Sequence, residues 1–170
     1  MNDETASALE IADQVQSAWS KFDAVPVEDM EYFTRGWGKR IEHLFVGVKP
    51  SDVNIEDGNF LIEMPLIEVN PRAASAYLGP YLKAFLLDLA FQEKVGFFSE
   101  PLLRSHVILF LTNPRVWTDT LKDNLPDNCK ATLGRAVEYC LKSAKLLDLS
   151  EEEARSLGRL SRAIDRDLAT

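Results

Sequence analysis

The segment from Asn70 to Leu89, NPRAASAYLGPYLKAFLLDL, is apolar around its whole circumference at helical spacing. A helix of this kind is surrounded by other elements, because a surface helix would keep one polar face. Gly79 and Pro80 stand in its middle, although glycine and proline destabilise a helix interior more than any other residues. The proline ring clashes with the carbonyl of Ala76 at a cost of about 3 kcal/mol in a straight helix. We therefore predict a central helix that is kinked, or broken into two short helices, at Gly79-Pro80.

Helix-start signals recur through the last hundred residues. Asn70 and Asn113 each precede a proline, so that a capping side chain is followed by a residue suited to the first helical position. Ser150 and Glu153 form a capping box. An N-terminal apolar stripe at helical spacing consists of Ala8, Ala12, Val15, Trp19 and Phe22. Further helices are predicted at residues 71–94, 100–111, 114–123, 127–147 and 151–168.

Between the N-terminal helix and the central segment the pattern is less regular. The sequence predicts an acidic, proline-containing connection, then a shorter amphipathic helix around GWGKRIEHLF. Near residues 53–64 the Asp57-Gly58 pair indicates either a short β-hairpin or an irregular loop. The predicted fold class is mainly α: a single-domain helical bundle over residues 1–170, with five to seven helices around the proline-kinked segment.

The charge is unevenly distributed along the chain. The 27 acidic and 19 basic residues give a net charge of −8. Residues 1–70 hold 14 acids and 5 bases, net −9, whereas residues 71–170 hold 13 acids and 14 bases, net +1. An acidic surface repels nucleic acid and anionic membranes and attracts a basic protein. We predict a basic protein partner, with neither nucleic acid nor membrane as a ligand; the alternative is that the charge serves solubility alone.

Motifs that carry common chemistries are absent from the sequence. There is no HExxH, CxxC, EF-hand, Walker or GxGxxG pattern, and His43 and His106 are isolated from each other. Cys129 and Cys140 fall in one predicted helix, too far apart for a disulfide, so reduced thiols and a cytoplasmic location are expected. The start MNDETASALE lacks a secretory signal pattern. We assign no cofactor, no metal and no catalytic residue.

A basic stripe lies on the last predicted helix. Its members are Arg155, Arg159, Arg162 and Arg166. Such a stripe could meet phosphate or an acidic partner. The preferred interpretation is an ion-pair network with Glu151, Glu152 and Asp165, or contact with the acidic N-terminal half.

Several residues give the chain a family resemblance. Phe22, Val25-Pro26, Trp37 and the helix PRAASAYLGPYL, with Tyr77-Leu78 and Pro80-Tyr81, occur in an order that resembles a family of small uncharacterised bacterial proteins. That family has an early F-x-x-[VI]-P segment and a proline inside a P-x-A-[FY] helix, whereas Gly79 here is an insertion before the proline. The resemblance implies that the internal proline belongs to the fold, and it implies no activity.

In size and acidity the chain is also similar to bacterial immunity proteins, which neutralise secreted toxins. We therefore expect a cytoplasmic inhibitor that masks a basic toxin or effector. The predicted contact residues are Asp23, Glu28, Asp29, Glu31, Asp52, Glu56 and Asp57. Two alternatives remain open, namely an enzyme with a carboxylate-based site and a helical adaptor that uses the arginine stripe.

Overall fold

The structure is a computed structural model, and it describes residues 6–26, 45, 47–55, 65–97 and 100–170. These residues are mainly helical, as the sequence predicts. The six α-helices of the described part are α1 (Ala8–Trp19), α2 (Pro65–Glu68), α3 (Pro71–Val95), α4 (Pro101–Thr112), α5 (Asp127–Lys142) and α6 (Glu151–Leu168). A 3₁₀ turn at Pro50–Asp52 and a π-helix at Val116–Leu121 complete the regular structure.

Helix α3 is the centre of the bundle. It contacts α1, α2, α4, the 3₁₀ turn and the π-helix. Its large side chains are fully buried on several faces, including Tyr77, Leu78, Tyr81, Leu82, Phe85, Leu86 and Leu89. The prediction of a helix surrounded by other elements is therefore confirmed, because no single neighbour could cover side chains that point in all directions.

The Gly79-Pro80 pair lies within a continuous helix. α3 runs without interruption from Pro71 to Val95, so the predicted alternative of two short helices is wrong, while the bend remains a prediction. A Cβ atom added to Gly79 would lie 2.3 Å from Cγ of Trp19 and 2.6 Å from its Cδ1. Glycine is thus required at this position because the indole of α1 rests directly on the backbone of α3.

Polar contacts hold this region in register. The indole Nε1 of Trp19 donates to the Ser75 carbonyl oxygen at 3.0 Å, and the Ser75 hydroxyl donates to the carbonyl oxygen of Thr120, in the π-helix, at 2.9 Å. Both are contacts between segments far apart in sequence. One turn of α3 therefore positions α1 on one side and the π-helix on another.

Tyr77 connects α3 to the segments that follow α1. Its hydroxyl lies 3.1 Å from the carbonyl oxygen of Phe45 and 2.7 Å from that of Val48, and it accepts from the Val25 amide at 3.4 Å. The Phe45 ring stacks on the Tyr77 ring with centroids 4.3 Å apart. Burial raises the pKa of Tyr77, which keeps the hydroxyl protonated and able to donate.

The helix starts follow the predicted capping residues in two cases. The Asn70 side chain accepts from the Ala73 amide at 2.8 Å, and Ser150 and Glu153 form a complete capping box. A second capping box, Ser7 with Glu10, was missed in the sequence. At the remaining predicted cap, Asn113 accepts from the Arg115 amide at 3.0 Å, and the helix predicted at 114–123 is present as a π-helix at Val116–Leu121.

Helix α5 ends earlier than predicted. The apolar stripe indicated residues 127–147, whereas α5 ends at Lys142 and a turn follows, with Asp148 at a positive φ of 49°. The carbonyl oxygen of Leu147 accepts from the Arg104 guanidinium of α4 at 2.6 Å, and that of Asp148 accepts at 3.1 Å. An arginine on another helix thus satisfies carbonyl groups of the turn that follows α5.

The region predicted as a hairpin is only partly described. Val53, Asn54 and Ile55 form no strand, and residues 56–64 lie outside the described residues. The same holds for most of the helix predicted around GWGKRIEHLF, of which only Phe45 is described.

Replacing Gly79 with alanine should lower the free energy of unfolding by about 1–3 kcal/mol, because the new methyl group would overlap the Trp19 ring. The matched control is Gly158→Ala in α6, where the nearest atom to an added Cβ is Nη1 of Arg162 at 3.5 Å. That variant should gain about 0.5–1 kcal/mol through helix propensity. Urea unfolding of both proteins measures the difference, and equal stabilities would contradict the proposed role of Gly79.

Candidate functional site

Two of the seven predicted acidic contact residues can be located. Asp23 follows α1, and its exposed carboxylate lies 3.7 Å from Nζ of Lys49. Asp52 is exposed in the 3₁₀ turn and accepts from the Ser51 hydroxyl at 3.1 Å. The contact between Asp23 and Lys49 shows that the segments carrying the two acids are neighbours. The other five predicted residues lie outside the described part of the chain: Glu28, Asp29, Glu31, Glu56 and Asp57.

The arginine stripe of α6 does not form the expected ion-pair network. Across the described residues, none of its four guanidinium groups lies within 4.0 Å of a carboxylate. Arg155 donates to the carbonyl oxygen of Glu151 and Arg166 to that of Arg162, each at 3.2 Å, while Arg159 donates to the Ser156 hydroxyl at 2.8 Å. The interpretation of the stripe as a network with Glu151, Glu152 and Asp165 is therefore wrong.

Part of the stripe lines a groove between α6, the π-helix and the end of α4. We call it the cationic groove; its volume is about 520 Å³, and Lys122, Arg159, Arg166 and Asp167 carry its charge. Its apolar lining consists of Leu111, Pro114, Val116, Trp117, Leu160 and Ala163. Three cationic side chains and one anionic side chain give the groove a net charge of +2 in a chain whose net charge is −8.

Among the described residues that line the groove, one carries a carboxylate, and two lysines lie against it. Asp167 accepts from Nζ of Lys130 at 2.6 Å and lies 3.7 Å from Nζ of Lys122. The hydrogen bond from Lys130 holds the pKa of Asp167 below its ordinary range. Lys130 also lies over the Trp117 ring, 5.9 Å from its centroid. Asp167 therefore has little negative charge left to offset Arg159 and Arg166.

A shallower depression brings two glutamates together at the start of α6. Glu152 and Glu153 line it with Ser150 and Ser156, beside Thr112. The Glu153 carboxylate accepts from the Ser150 amide at 2.8 Å, and this hydrogen bond lowers its pKa. A general acid needs a raised pKa, so Glu153 acts as a helix cap.

The cysteines and the described histidine are buried. Desolvation raises the pKa of Cys129 to about 11 and that of Cys140 to about 12, so neither is a thiolate nucleophile at neutral pH. Both are free thiols, as predicted. His106 is fully buried, with its ring centroid 5.0 Å from that of Tyr81, and neither ring nitrogen has a hydrogen-bond partner. No three His, Cys, Asp or Glu side chains in the described ranges could together hold a metal ion.

Comparison with known proteins identified no relative of this chain. No protein-family model, no curated protein and no solved structure matches the chain. The resemblance to small bacterial proteins and the similarity to immunity proteins stay predictions. Within the part of the chain that the structure describes, no helix has the length and apolar character needed to cross a membrane.

The buried His106 should make stability depend on pH. Burial lowers its pKa from 6.5 to about 4, so between these values the unfolded chain binds a proton that the folded chain does not. Stability should therefore fall as the pH drops below about 6.5, by on the order of 2–3 kcal/mol between pH 7 and pH 4.5.

The variant His106→Leu should lose this part of the pH dependence. Urea unfolding of both proteins at several pH values measures the pH dependence of stability. The carboxyl groups titrate in both proteins, so their contribution cancels when the two are compared. Parallel curves for the two proteins between pH 7 and pH 4.5 would show that His106 does not titrate differently in the folded state.

Proposed function

We propose that this protein binds a basic protein partner through the acidic surface formed by the segments around Asp23 and Asp52. The observation that supports the proposal is that these two carboxylates are exposed on neighbouring segments and that no arginine of α6 pairs with them. Among the described residues, the one cation within 4.0 Å of either carboxylate belongs to Lys49, which is itself exposed and contributes little as an ion pair. Both carboxylates are therefore accessible to a partner.

Charge distribution is the physical basis of the proposal. The excess of nine acids in residues 1–70 raises the rate at which a cationic protein meets this surface, and like charges disfavour acidic competitors. The most concrete form of the function is an immunity protein that neutralises a basic toxin by covering its active site, in the cytoplasm of the producing cell. Glu28, Asp29, Glu31, Glu56 and Asp57 would extend the contact surface.

A pull-down from the native host, followed by mass spectrometry, identifies the partner. We expect one dominant protein of high isoelectric point, retained at low salt and lost at high salt, because screening weakens contacts between exposed charges. A dominant partner that is acidic, or whose retention does not depend on salt, would contradict the proposal.

Charge reversal with the purified partner tests the surface itself. The double variant Asp23→Lys and Asp52→Lys should slow association by about tenfold or more, since rim charges act mainly on the association rate. The control is a double variant of equal charge change, Glu138→Lys and Asp123→Lys, both exposed positions outside the acidic surface. Stopped-flow or surface-plasmon measurements compare the two. Equal association rates for both double variants would mean that only net charge matters.

A further inference from the structure

We propose that the cationic groove binds a small organic anion that carries an apolar group, such as an aromatic phosphate or carboxylate. This inference is independent of the proposed function, because the groove is lined by residues of α4, the π-helix and α6 and contains neither Asp23 nor Asp52, the two described acidic contact residues. Its volume of about 520 Å³ lies in the range typical of small-molecule sites.

The first argument is the unused donor capacity of the two arginines. A guanidinium group has five N–H donors. Arg159 uses one of them on the Ser156 hydroxyl, and Arg166 uses one on the carbonyl oxygen of Arg162. The remaining donors have no acceptor among the described residues, and guanidinium forks are well suited to carboxylate and phosphate oxygens.

The helix macrodipole explains the position of only one of these two arginines. A cation near a helix C-terminus is stabilised by the macrodipole, and this explains Arg166, in the last turn of α6. Arg159 lies in the middle of α6, where the dipole effect is negligible. Lys122, which follows the π-helix, lines the same groove and lies 3.7 Å from the Asp167 carboxylate. The cations of the groove therefore come from two elements, and Arg159 and Arg166 are the two without a carboxylate partner among the described residues.

The second argument is the apolar lining between the cations. Val116 and Trp117 come from the π-helix, and Leu160 and Ala163 from α6. Val116, Trp117 and Leu160 are each less than one tenth exposed, so the groove presents only the edges of these side chains. An organic anion would cover this small apolar area and gain modestly from the hydrophobic effect, whereas an inorganic anion would leave it in water. The groove therefore favours a ligand with a charged group at one end and a flat apolar group at the other.

The site can be tested with naphthyl phosphate, followed by NMR chemical-shift mapping on the full chain. We expect saturable shifts at the Trp117 indole and at Arg159 and Arg166, with a dissociation constant in the low millimolar range or tighter. Inorganic phosphate, which has the charge alone, and naphthylmethylamine, which has the ring with a positive charge, should each bind at least about tenfold more weakly. Shifts confined to other parts of the protein, or equal binding of the amine, would overturn the proposal.

Variants distinguish binding of naphthyl phosphate in the groove from binding elsewhere on the basic stripe. Arg159→Gln combined with Arg166→Gln should weaken naphthyl phosphate binding by at least about tenfold, because two charge-assisted hydrogen bonds are lost. The control Arg155→Gln removes a charge from the same stripe at a residue that does not line the groove, and should change affinity less than about twofold. Ala163→Phe, which fills the apolar lining without a change of charge, should also abolish binding. Equal affinities for the double variant and the control would show that the groove is not the site.

Discussion

The contact of Trp19 with Gly79 is the constraint on which the rest of the structure depends. The indole lies so close to the backbone of α3 that no side chain fits between them. Its Nε1 group donates to the Ser75 carbonyl oxygen, while the Ser75 hydroxyl bonds to the π-helix. One turn of the central helix thus sets the position of α1 and of the segment that carries Trp117. The glycine that weakens a helix in isolation is needed for the packing of this one.

The position of the π-helix in turn determines the cationic groove. Trp117 and Lys122 belong to the segment that Ser75 helps to hold, and α6 contacts this segment from the opposite side with Arg159 and Arg166. The chain therefore presents charges of two signs in different places. Its described acidic contact residues, Asp23 and Asp52, are exposed near the end of α1, whereas Arg159 and Arg166, which have no carboxylate partner among the described residues, line a groove with apolar walls.

Local sequence signals predicted the helical architecture well where the determinants are local. Capping by Asn70 and Ser150 and the all-round apolar pattern of α3 depend on residues within a few positions of one another, and these predictions are confirmed. The end of α5 was predicted less well. The helix ends at Lys142, five residues before the predicted end, and the turn that follows is held by Arg104 of α4, which donates to the carbonyl oxygens of Leu147 and Asp148.

The sequence by itself determined which segments become helices and that α3 is the buried centre. It also determined that the acidic excess belongs to the first seventy residues. Periodicity, capping and composition are properties of neighbouring residues, so they can be read without the tertiary structure. Only the tertiary structure decided that Gly79 accommodates Trp19, that the arginines of α6 have no carboxylate partners in the described ranges, and that Trp117 and Lys122 join Arg159 and Arg166 in one groove. Trp19 precedes Gly79 by 60 positions, and Lys122 precedes Arg159 by 37. No local pattern connects such distant residues, because packing of helices over the buried core is what brings them together.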